Sequence, residues 1–313
     1  MYRNREKQAA ASSLMQTALL VGGTGFVGPH MKRCLLPGYK VIATDRISDI
    51  RDAVKIRNLV KSTSPDIVVN FASITTVKES MQDPLDTYRI GFLGTLNLLE
   101  ALKEISFKGR MLNISSSESY GFPSTDLLPV NEDTPLRPMS PYSVSKVATE
   151  ALCFQWSQSE DFDIVTARPF THIGPGQSDR FAISNFAKQL AEISLGKREP
   201  VIHVGNLNAT RDITDVRDVV RAYALLLKKG CNGQAYNICS GKETRIKTLL
   251  NELIDLAGLA VIIELDDSLM RNVEQKRIYG SYEKIHREAD WKPMLSLRQT
   301  LADTLSYWVD KLK

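Results

Sequence analysis

A tyrosine and a lysine stand four residues apart in the segment SPYSVSK, residues 140–146. Positions i and i+4 share one face of an α-helix, and Pro141 suits a first helical turn because its missing N–H costs nothing there. A nearby ammonium stabilises a phenolate and lowers the pKa of the phenol. Tyr142 and Lys146 therefore predict a proton donor with its tuning cation, although a tyrosine alone at a helix start is commonly structural.

Hydroxyl and carboxyl side chains form a second cluster, NISSSESYG at residues 113–121, directly after a predicted strand. A serine hydroxyl can hold a carbonyl oxygen in place before reaction. Glu118 is as compatible with a hydrogen-bonded turn as with a catalytic base. Together with the tyrosine and the lysine, this cluster favours an enzyme that delivers a hydride and a proton to a carbonyl.

A glycine-rich turn, VGGTGFVG at residues 21–28, lies between a predicted strand and a predicted helix. Its first glycine permits a tight turn, its second lets the backbone approach a pyrophosphate, and its third lets the helix pack on the strand. The N–H groups of the helix then face the anion. The predicted cofactor contacts of this turn are Gly22, Gly25, Phe26, Val27 and Gly28.

The choice of dinucleotide depends on the residues after the second predicted strand. Asp45 is placed to accept a hydrogen bond from the ribose 2′-hydroxyl of NAD, whereas Arg46 could contact the 2′-phosphate of NADP. We therefore predict NADPH or NADH as the cofactor.

Short apolar runs alternate with segments of helical period, which predicts an α/β fold with a parallel sheet and helices on both faces. Too few residues remain before Asp52, where a helix is predicted to begin, for an ordinary third strand. The predicted strands are 17–21, 40–44, 66–72, 109–115, 162–169 and 235–240, and the predicted helices include 88–105, 143–159 and 215–229.

Composition changes near residue 170 and divides the chain. We predict a flexible N-terminal extension over residues 1–15 and a dinucleotide-binding domain over 16–170 plus about 212–240. Residues 171–211 plus 241–313 are predicted to form a smaller substrate domain.

Charge and cysteine usage narrow the class of protein. The net charge of +4 comes without a dense basic run, so nucleic acid is a poor candidate partner. No apolar run reaches the length of a membrane span. The four cysteines lack CxxC spacing and the histidines form no ligand motif, which predicts a cytoplasmic protein with reduced thiols and no metal.

These motifs resemble those of the extended short-chain dehydrogenase/reductase family over roughly residues 16–313. The shared features are GxxGxxG, the strand end NFAS, the hydroxyl turn that ends in YG, and YxxxK. The resemblance implies a Rossmann-type doubly wound sheet, with a short or missing third strand, and a smaller C-terminal α/β substrate-binding domain. It also implies that Ser116, Tyr142 and Lys146 are catalytic. Further cofactor contacts implied by the resemblance are Asp49, Ile50, Ala72, Tyr142, Lys146, Pro169 and Phe170.

Later segments are similar to those of GDP-6-deoxy-4-keto-mannose reductases, namely residues 167–177, 204–223, 236–241 and 270–281. This resemblance implies reduction of the C4 ketone of GDP-4-keto-6-deoxy-D-mannose to GDP-D-rhamnose, a step of deoxysugar and polysaccharide biosynthesis. Arginines would then face the diphosphate of the sugar nucleotide, and Glu274 its ribose. The implied substrate contacts are Ser117, Glu118, Thr171, Arg211, Arg271 and Glu274.

Two positions depart from that pattern, because Gly91 and Thr171 stand where asparagines are usual. The first asparagine has a structural role near the active site, so its support must come from elsewhere in this chain. The second lies beside the expected sugar nucleotide, where the replacement could alter contacts to its phosphate or sugar.

Several alternatives share this scaffold. The run from Ser116 to Glu118 resembles the Thr-Ser-Glu of GDP-mannose 4,6-dehydratases, but HIGPGQ at residues 172–177 favours a reductase. A reductase or epimerase for another nucleotide sugar also fits. A nucleotide sensor without turnover fits less well, because such proteins usually lose the tyrosine or the lysine.

A homodimer is predicted from the helical segments near residues 85–106 and 142–158, which resemble those that pair in this family. Apolar side chains on these segments could serve the dimer interface or the core. They include Phe92, Leu96, Leu152 and Trp156.

Overall fold

The computed structural model describes residues 15–45, 49–74, 76–270 and 275–313. The strands, in chain order, are β1 (Gln16–Val21), β2 (Tyr39–Ala43), β3 (Ile67–Asn70), β4 (Arg110–Ile114), β5 (Asp163–Pro169), β6 (Thr171–Ile173), β7 (Val201–Val204), β8 (Thr210–Asp215), β9 (Ala235–Ile238), β10 (Glu243–Arg245) and β11 (Ile262–Leu265). The helices are α1 (Val27–Leu35), α2 (Ala53–Thr63), α3 (Val77–Gln82), α4 (Pro84–Tyr88), α5 (Gly94–Glu104), α6 (Pro141–Ser159), α7 (Ala182–Ser194), α8 (Val216–Lys229), α9 (Ile246–Ala257), α10 (Glu283–Ala289) and α11 (Leu297–Leu312).

The central sheet is parallel throughout and has the order β2-β1-β3-β4-β5-β9. Helices cover both of its faces, so its strands read as continuous apolar runs; all four residues of β3, for example, are buried. Strand order reverses at β1, between β2 and β3. A ligand crevice is expected outside the carboxyl ends of the strands at such a switch point.

The predicted Rossmann-type α/β architecture is confirmed. The run at residues 235–240 returns to the main sheet as β9, parallel to β5. Asp52 caps α2 by accepting from the N–H groups of Val54 and Lys55, which fixes the helix start where the sequence predicts it. Among the described residues no strand lies between β2 and α2, so β2 is an edge of the sheet.

The predicted single helix over residues 88–105 is wrong in one respect. The chain forms α4, then a π-helical turn over Arg89–Leu93, and only then α5. Gly91 lies in this turn, and a π-helical turn within a helix often marks a functional site.

The remaining strands build two small sheets, β10-β8-β6 and β11-β7, beside the main one. A separate apolar core joins them to α7, α9 and α11. The predicted domain boundary near residue 212 falls within β8, which pairs with β6 and β10. Within the described ranges, no helix has the length and apolar content that a membrane crossing requires.

Candidate active site

The glycine turn after β1 is held by its neighbours on both sides. Gly22 has a φ of +72°, which favours glycine, and its N–H donates to Thr44 Oγ1 at the end of β2 over 2.9 Å. A Cβ on Gly22 would lie 3.0 Å from the Cα of Ala72, so the strand ends of β1 and β3 meet here. Ala72 therefore lies beside the glycine turn, and its contact with a cofactor stays a prediction.

The other two glycines of the motif differ in what surrounds them. A Cβ on Gly28 would fall 1.8 Å from the carbonyl oxygen of Gly23, so this glycine permits close helix packing. A Cβ on Gly25 would meet only the Gly22 carbonyl oxygen, at 4.0 Å. Open space at Gly25, together with a first turn of α1 that carries no acidic residue, fits a pyrophosphate at this helix N-terminus.

Sequence reasoning missed Gly23 and Thr44. A Cβ on Gly23 would lie 2.6 Å from the Cβ of Leu20, so this position also requires glycine. The double glycine in VGGTG was the available signal for Gly23, whereas the bond from Thr44 depends on strand pairing.

Phe26 and Val27 face different surroundings. The Phe26 ring stacks on His172 with centroids 6.0 Å apart and contacts the edge of His30 at 5.7 Å. His30 Nε2 also lies 2.9 Å from the carbonyl oxygen of Pro175. The HIGPGQ segment is thereby packed against the phosphate-binding turn, while Val27 packs on the main core.

The residues predicted to contact the adenosine lie at the end of β2 and before α2. Asp45 is exposed there, and Arg46 lies outside the described residues. The Asp49 carboxylate pairs with Arg51, which holds the pKa of that carboxyl below its usual value. The Ile50 side chain is buried in the core against Gly94, which leaves its backbone as the candidate contact.

Helix α6 begins where the SPYSVSK motif predicts. Ser140 caps it by accepting from the Ser143 N–H over 3.2 Å, and the Ser143 hydroxyl accepts from the Ser140 N–H over 2.9 Å. This capping box, with Pro141 in the first turn, fixes the helix start immediately before Tyr142.

Ser116, Tyr142 and Lys146 come together over the end of β4. Ser116 caps the 3₁₀ turn Ser117–Tyr120 by accepting from the Glu118 N–H over 3.2 Å. Lys146 Nζ lies 5.7 Å from the centroid of the Tyr142 ring and donates to the Ile114 carbonyl oxygen over 2.7 Å. The three predicted catalytic side chains therefore surround one point at the strand ends.

The pKa of Tyr142 differs from the sequence-based expectation. Burial raises it to about 12; contact with the Ser116 hydroxyl acts to lower it, and the negative charge of Glu118 acts to raise it. Burial also lowers the pKa of Lys146 to about 8, although Glu150 opposes that change. The phenol is thus protonated at neutral pH, and burial rather than the ammonium sets the direction of its pKa change, contrary to our prediction.

The candidate residues after β5 point in different directions. Pro169 is buried at the strand end, and the Phe170 ring is buried among Tyr120 and other core residues. Thr171 is exposed at the start of β6, where the predicted substrate site lies.

The residues predicted to bind the sugar nucleotide are only partly described. Ser117 is buried and Glu118 is half-buried in the 3₁₀ turn beside Tyr142. Arg211 donates from Nη1 to the carbonyl oxygens of Thr210 and Gln275, each over 2.7 Å. Arg271 and Glu274 lie outside the described residues, directly before Gln275.

Within the part of the chain that the structure describes, no group of three or more His, Cys, Asp and Glu side chains could hold a metal ion.

A parallel sheet with a glycine turn at its switch point and a Ser–Tyr–Lys set at its strand ends defines an oxidoreductase of the extended short-chain dehydrogenase/reductase class. The family model described as GDP-mannose 4,6 dehydratase matches residues 46–304. The GDP-6-deoxy-D-mannose reductase of Pseudomonas aeruginosa is 38% identical over 312 residues, which cover 96% of this chain and 99% of that protein.

Solved structures agree with this assignment. The structure of RMD from Pseudomonas aeruginosa complexed with NADPH gives a TM-score of 0.87 at 39% identity, covering 95% of this chain and 100% of that one. The UDP-glucose 4-epimerase of Thermotoga maritima, solved with UDP-glucose, gives 0.86 at 23% identity over 95% and 100%, which shows the shared fold alone. The chain belongs to the GDP-mannose 4,6-dehydratase family of extended short-chain dehydrogenases/reductases.

Proposed function

We propose that this protein is an NADPH- or NADH-dependent reductase of the C4 ketone of GDP-4-keto-6-deoxy-D-mannose, which yields GDP-D-rhamnose. The observation that carries the proposal is the Tyr142 phenol in contact with the Ser116 hydroxyl and beside Lys146, at the switch-point edge of the sheet. The relative from Pseudomonas aeruginosa named as a GDP-6-deoxy-D-mannose reductase supports this substrate.

The cofactor would be held by the residues around the glycine turn. Gly22 and Gly25 admit the pyrophosphate to the N-terminus of α1, and Ala72 borders it from the end of β3. Asp45 is the candidate ribose contact, and Pro169 lies at the β5 end that faces the nicotinamide in the proposal. When bound, the reduced nicotinamide supplies the hydride.

The proton comes from the protein. Ser116 holds the C4 carbonyl oxygen, and Tyr142 Oη donates its proton to that oxygen as charge develops there. Lys146 stabilises the resulting phenolate through its positive charge, and its bond to the Ile114 carbonyl fixes its place. Arg211, Arg271 and Glu274 are proposed to bind the nucleotide part of the substrate.

A dehydratase is the second candidate function. The negative charge of Glu118 acts to raise the pKa of Tyr142, so this carboxylate lies close to the proposed reacting groups. A dehydratase would begin by oxidising a hydroxyl, which requires the tyrosine as a base. The relative named as a GDP-6-deoxy-D-mannose reductase, 38% identical over nearly the whole chain, favours reduction over this alternative.

Turnover of the purified protein tests the proposal. GDP-4-keto-6-deoxy-mannose or GDP-mannose is added with NADPH or NADH in separate reactions, and nicotinamide absorbance and product NMR spectra are followed. We expect nicotinamide oxidation with the keto sugar and a new C4 hydroxyl. Conversion of GDP-mannose without net consumption of the nicotinamide would instead establish the dehydratase.

Tyr142→Phe removes the proton donor and leaves the ring. We expect turnover to fall by at least about 100-fold while nucleotide binding is retained, because general acid catalysis contributes roughly that much or more. Tyr307→Phe, on the distant helix α11, is the matched control. Full activity of Tyr142→Phe would exclude the proposed mechanism.

We also propose a homodimer formed through α4, the π-helical turn and α6. Of the side chains that could serve the interface or the core, Trp156 is buried in the core, and Leu96 and Leu152 pack against it while partly buried. Phe92, on the π-helical turn, is also partly buried. Exposed apolar side chains on the same elements support the proposal instead, with Val144 and Phe154 on α6 and Leu85 and Leu93 beside them. The four cysteines are all free, which fits the proposed cytoplasmic location.

A further inference from the structure

A buried ion pair lies behind the catalytic residues. Arg168 Nη2 contacts Glu150 Oε2 over 2.7 Å, and both side chains are more than nine-tenths buried. Removing two charges from water is costly, and an apolar pair of similar volume often stabilises a fold as well or better. The pair therefore calls for a role beyond stability, and its neighbours indicate one.

Glu150 connects the two elements that carry the catalytic side chains. It lies one helical turn after Lys146 on α6, and its Oε1 accepts a hydrogen bond from the hydroxyl of Ser115. Ser115 directly precedes Ser116, the predicted catalytic hydroxyl. The carboxylate thus holds the start of the catalytic 3₁₀ turn against the helix that presents Tyr142.

Arg168 holds the other end of the same turn. Its Nη1 donates to the hydroxyl of Tyr120 over 3.0 Å, and Tyr120 ends the 3₁₀ turn that Ser116 begins. The Tyr120 hydroxyl in turn donates to Asn237 Oδ1 over 2.7 Å, on β9. Burial raises the pKa of Tyr120 to about 12, so this hydroxyl remains a donor at all ordinary pH values.

We propose that Glu150 and Arg168 are positioning residues that clamp both ends of the turn over residues 116–120 and fix it relative to Lys146. Neither residue needs to touch the substrate. The carboxylate also provides the negative charge that faces the Lys146 ammonium within α6. The rate measurement below rests on the proposed reductase function, whereas the lysine titration does not.

Lys146 is surrounded by few other charged groups, which makes its titration informative. The carboxylate of Glu150 and the Cys153 thiol act to raise its pKa, and burial acts to lower it. The Arg168 guanidinium lies beyond the carboxylate on β5. Among the described residues, the titratable and charged groups that face Lys146 or its partners from the packed elements include Glu118, Tyr120, Tyr142, Glu150, Cys153, Arg168 and Tyr223.

The test replaces the pair without leaving a buried charge. Glu150→Gln alone leaves Arg168 unpaired and could prevent folding. The double variant Glu150→Gln/Arg168→Met retains the volume and removes both charges, so we expect it to fold. The matched control, Asp163→Asn/Arg110→Met, removes an ion pair between β4 and β5 at their amino ends, away from the site.

We expect the double variant to lower the single-turnover rate of nicotinamide oxidation by roughly 10- to 100-fold, because a small misplacement of catalytic groups has effects of this size. KM for the keto sugar and Kd for NADPH should change by less than about twofold, since the binding residues are untouched. The control variant should match the wild type in all three quantities.

Lysine side-chain NMR provides a measurement that needs no turnover. Lys146, assigned with Lys146→Arg, should titrate at a lower pH in the double variant than in the wild type or the control, because the Glu150 carboxylate acts directly on the pKa of Lys146 whereas Arg168 lies behind that carboxylate. A wild type that does not oxidise NADPH or NADH in the presence of the keto sugar refutes the proposed function and leaves this titration to decide the inference. An unchanged titration midpoint, or a wild-type rate in the folded double variant, would overturn it.

Discussion

At the scale of single residues, the two ionisable groups of YxxxK have opposite pKa changes with the same cause. Burial raises the pKa of the Tyr142 phenol to about 12 and lowers the pKa of the Lys146 ammonium to about 8. Both changes favour the neutral form. The proposed reaction needs the phenol protonated and the lysine charged, so we expect the lysine to limit activity at alkaline pH.

The sign of the pH dependence follows from these values. Below about pH 8 Lys146 is charged and Tyr142 is protonated, so the competent form dominates. As the pH rises through about 8, Lys146 loses its proton while Tyr142 keeps its own. We expect kcat/KM for NADPH, which reports on groups of the free enzyme, to fall through that range.

Lys146→Arg provides the control for this pH profile. A guanidinium stays charged throughout the range, so the variant should be less active yet show no decline near pH 8. If kcat/KM for NADPH still declines near pH 8 in Lys146→Arg, the decline is caused by the titration of another group.

On the π-helical turn, Gly91 stands where the resemblance implies an asparagine, and its neighbours explain why a glycine fits there. A Cβ on Gly91 would fall 2.0 Å from Ser145 Oγ of α6, so the serine occupies the space that an asparagine would need. The Gly91 carbonyl oxygen accepts from the hydroxyls of Thr95 and Thr149, over 2.6 and 3.2 Å. The π-helical turn is thus supported by hydroxyls from its own helix and from α6.

Restoring the family asparagine should therefore destabilise the protein. We expect Gly91→Asn to lower the free energy of unfolding by about 1–3 kcal/mol, as overpacking of a core does. Ser145→Ala removes the clashing oxygen, so Gly91→Asn/Ser145→Ala should recover at least half of that loss. Urea denaturation of the wild type, the two single variants and the double variant gives the coupling free energy between positions 91 and 145.

Gly38 supplies the control for this coupling, because a Cβ there would meet nothing within 4 Å. Gly38→Asn should show no coupling with Ser145→Ala. The packing explanation is refuted if the changes in unfolding free energy of Gly91→Asn and Ser145→Ala simply add, as we expect those of Gly38→Asn and Ser145→Ala to do.

The sequence predicted those strands and helix starts that depend only on neighbouring residues. Buried parallel strands read as apolar runs, and the start of α6 follows from Pro141 and its capping serine. The π-helical turn was not predicted, because its residues follow the same helical period as the segments on either side; the close approach of Ser145 to Gly91 appears only once α6 packs beside the turn. The ion pair of Glu150 and Arg168 could not be predicted either, since the two residues meet only once β5 lies beside α6.

Two exposed apolar surfaces of the molecule are candidates for the interface with a second copy of the chain. The first candidate is the set of exposed apolar side chains on α4, the π-helical turn and α6, elements that contact one another. We call this set the helical surface; it comprises Leu85, Leu93, Val144 and Phe154. The second surface, on and after β11, includes Ile262 and Leu265 but also carries Glu264, Asp266 and Asp267. Two copies meeting there through a two-fold axis would bring like charges together, which disfavours it.

The helical surface should therefore carry the dimer, and a charge placed on it should separate the subunits. Phe154, 54% exposed, and Leu93, 48% exposed, are the largest targets on the π-helical turn and α6. Light scattering after size exclusion should give twice the chain mass for the wild type and the single-chain mass for Phe154→Glu or Leu93→Glu, because a buried unpaired carboxylate is costly. Leu265→Glu, on the competing surface, should remain a dimer. A monomeric wild type, or a dimer that only Leu265→Glu disrupts, would show that α6 does not form the interface.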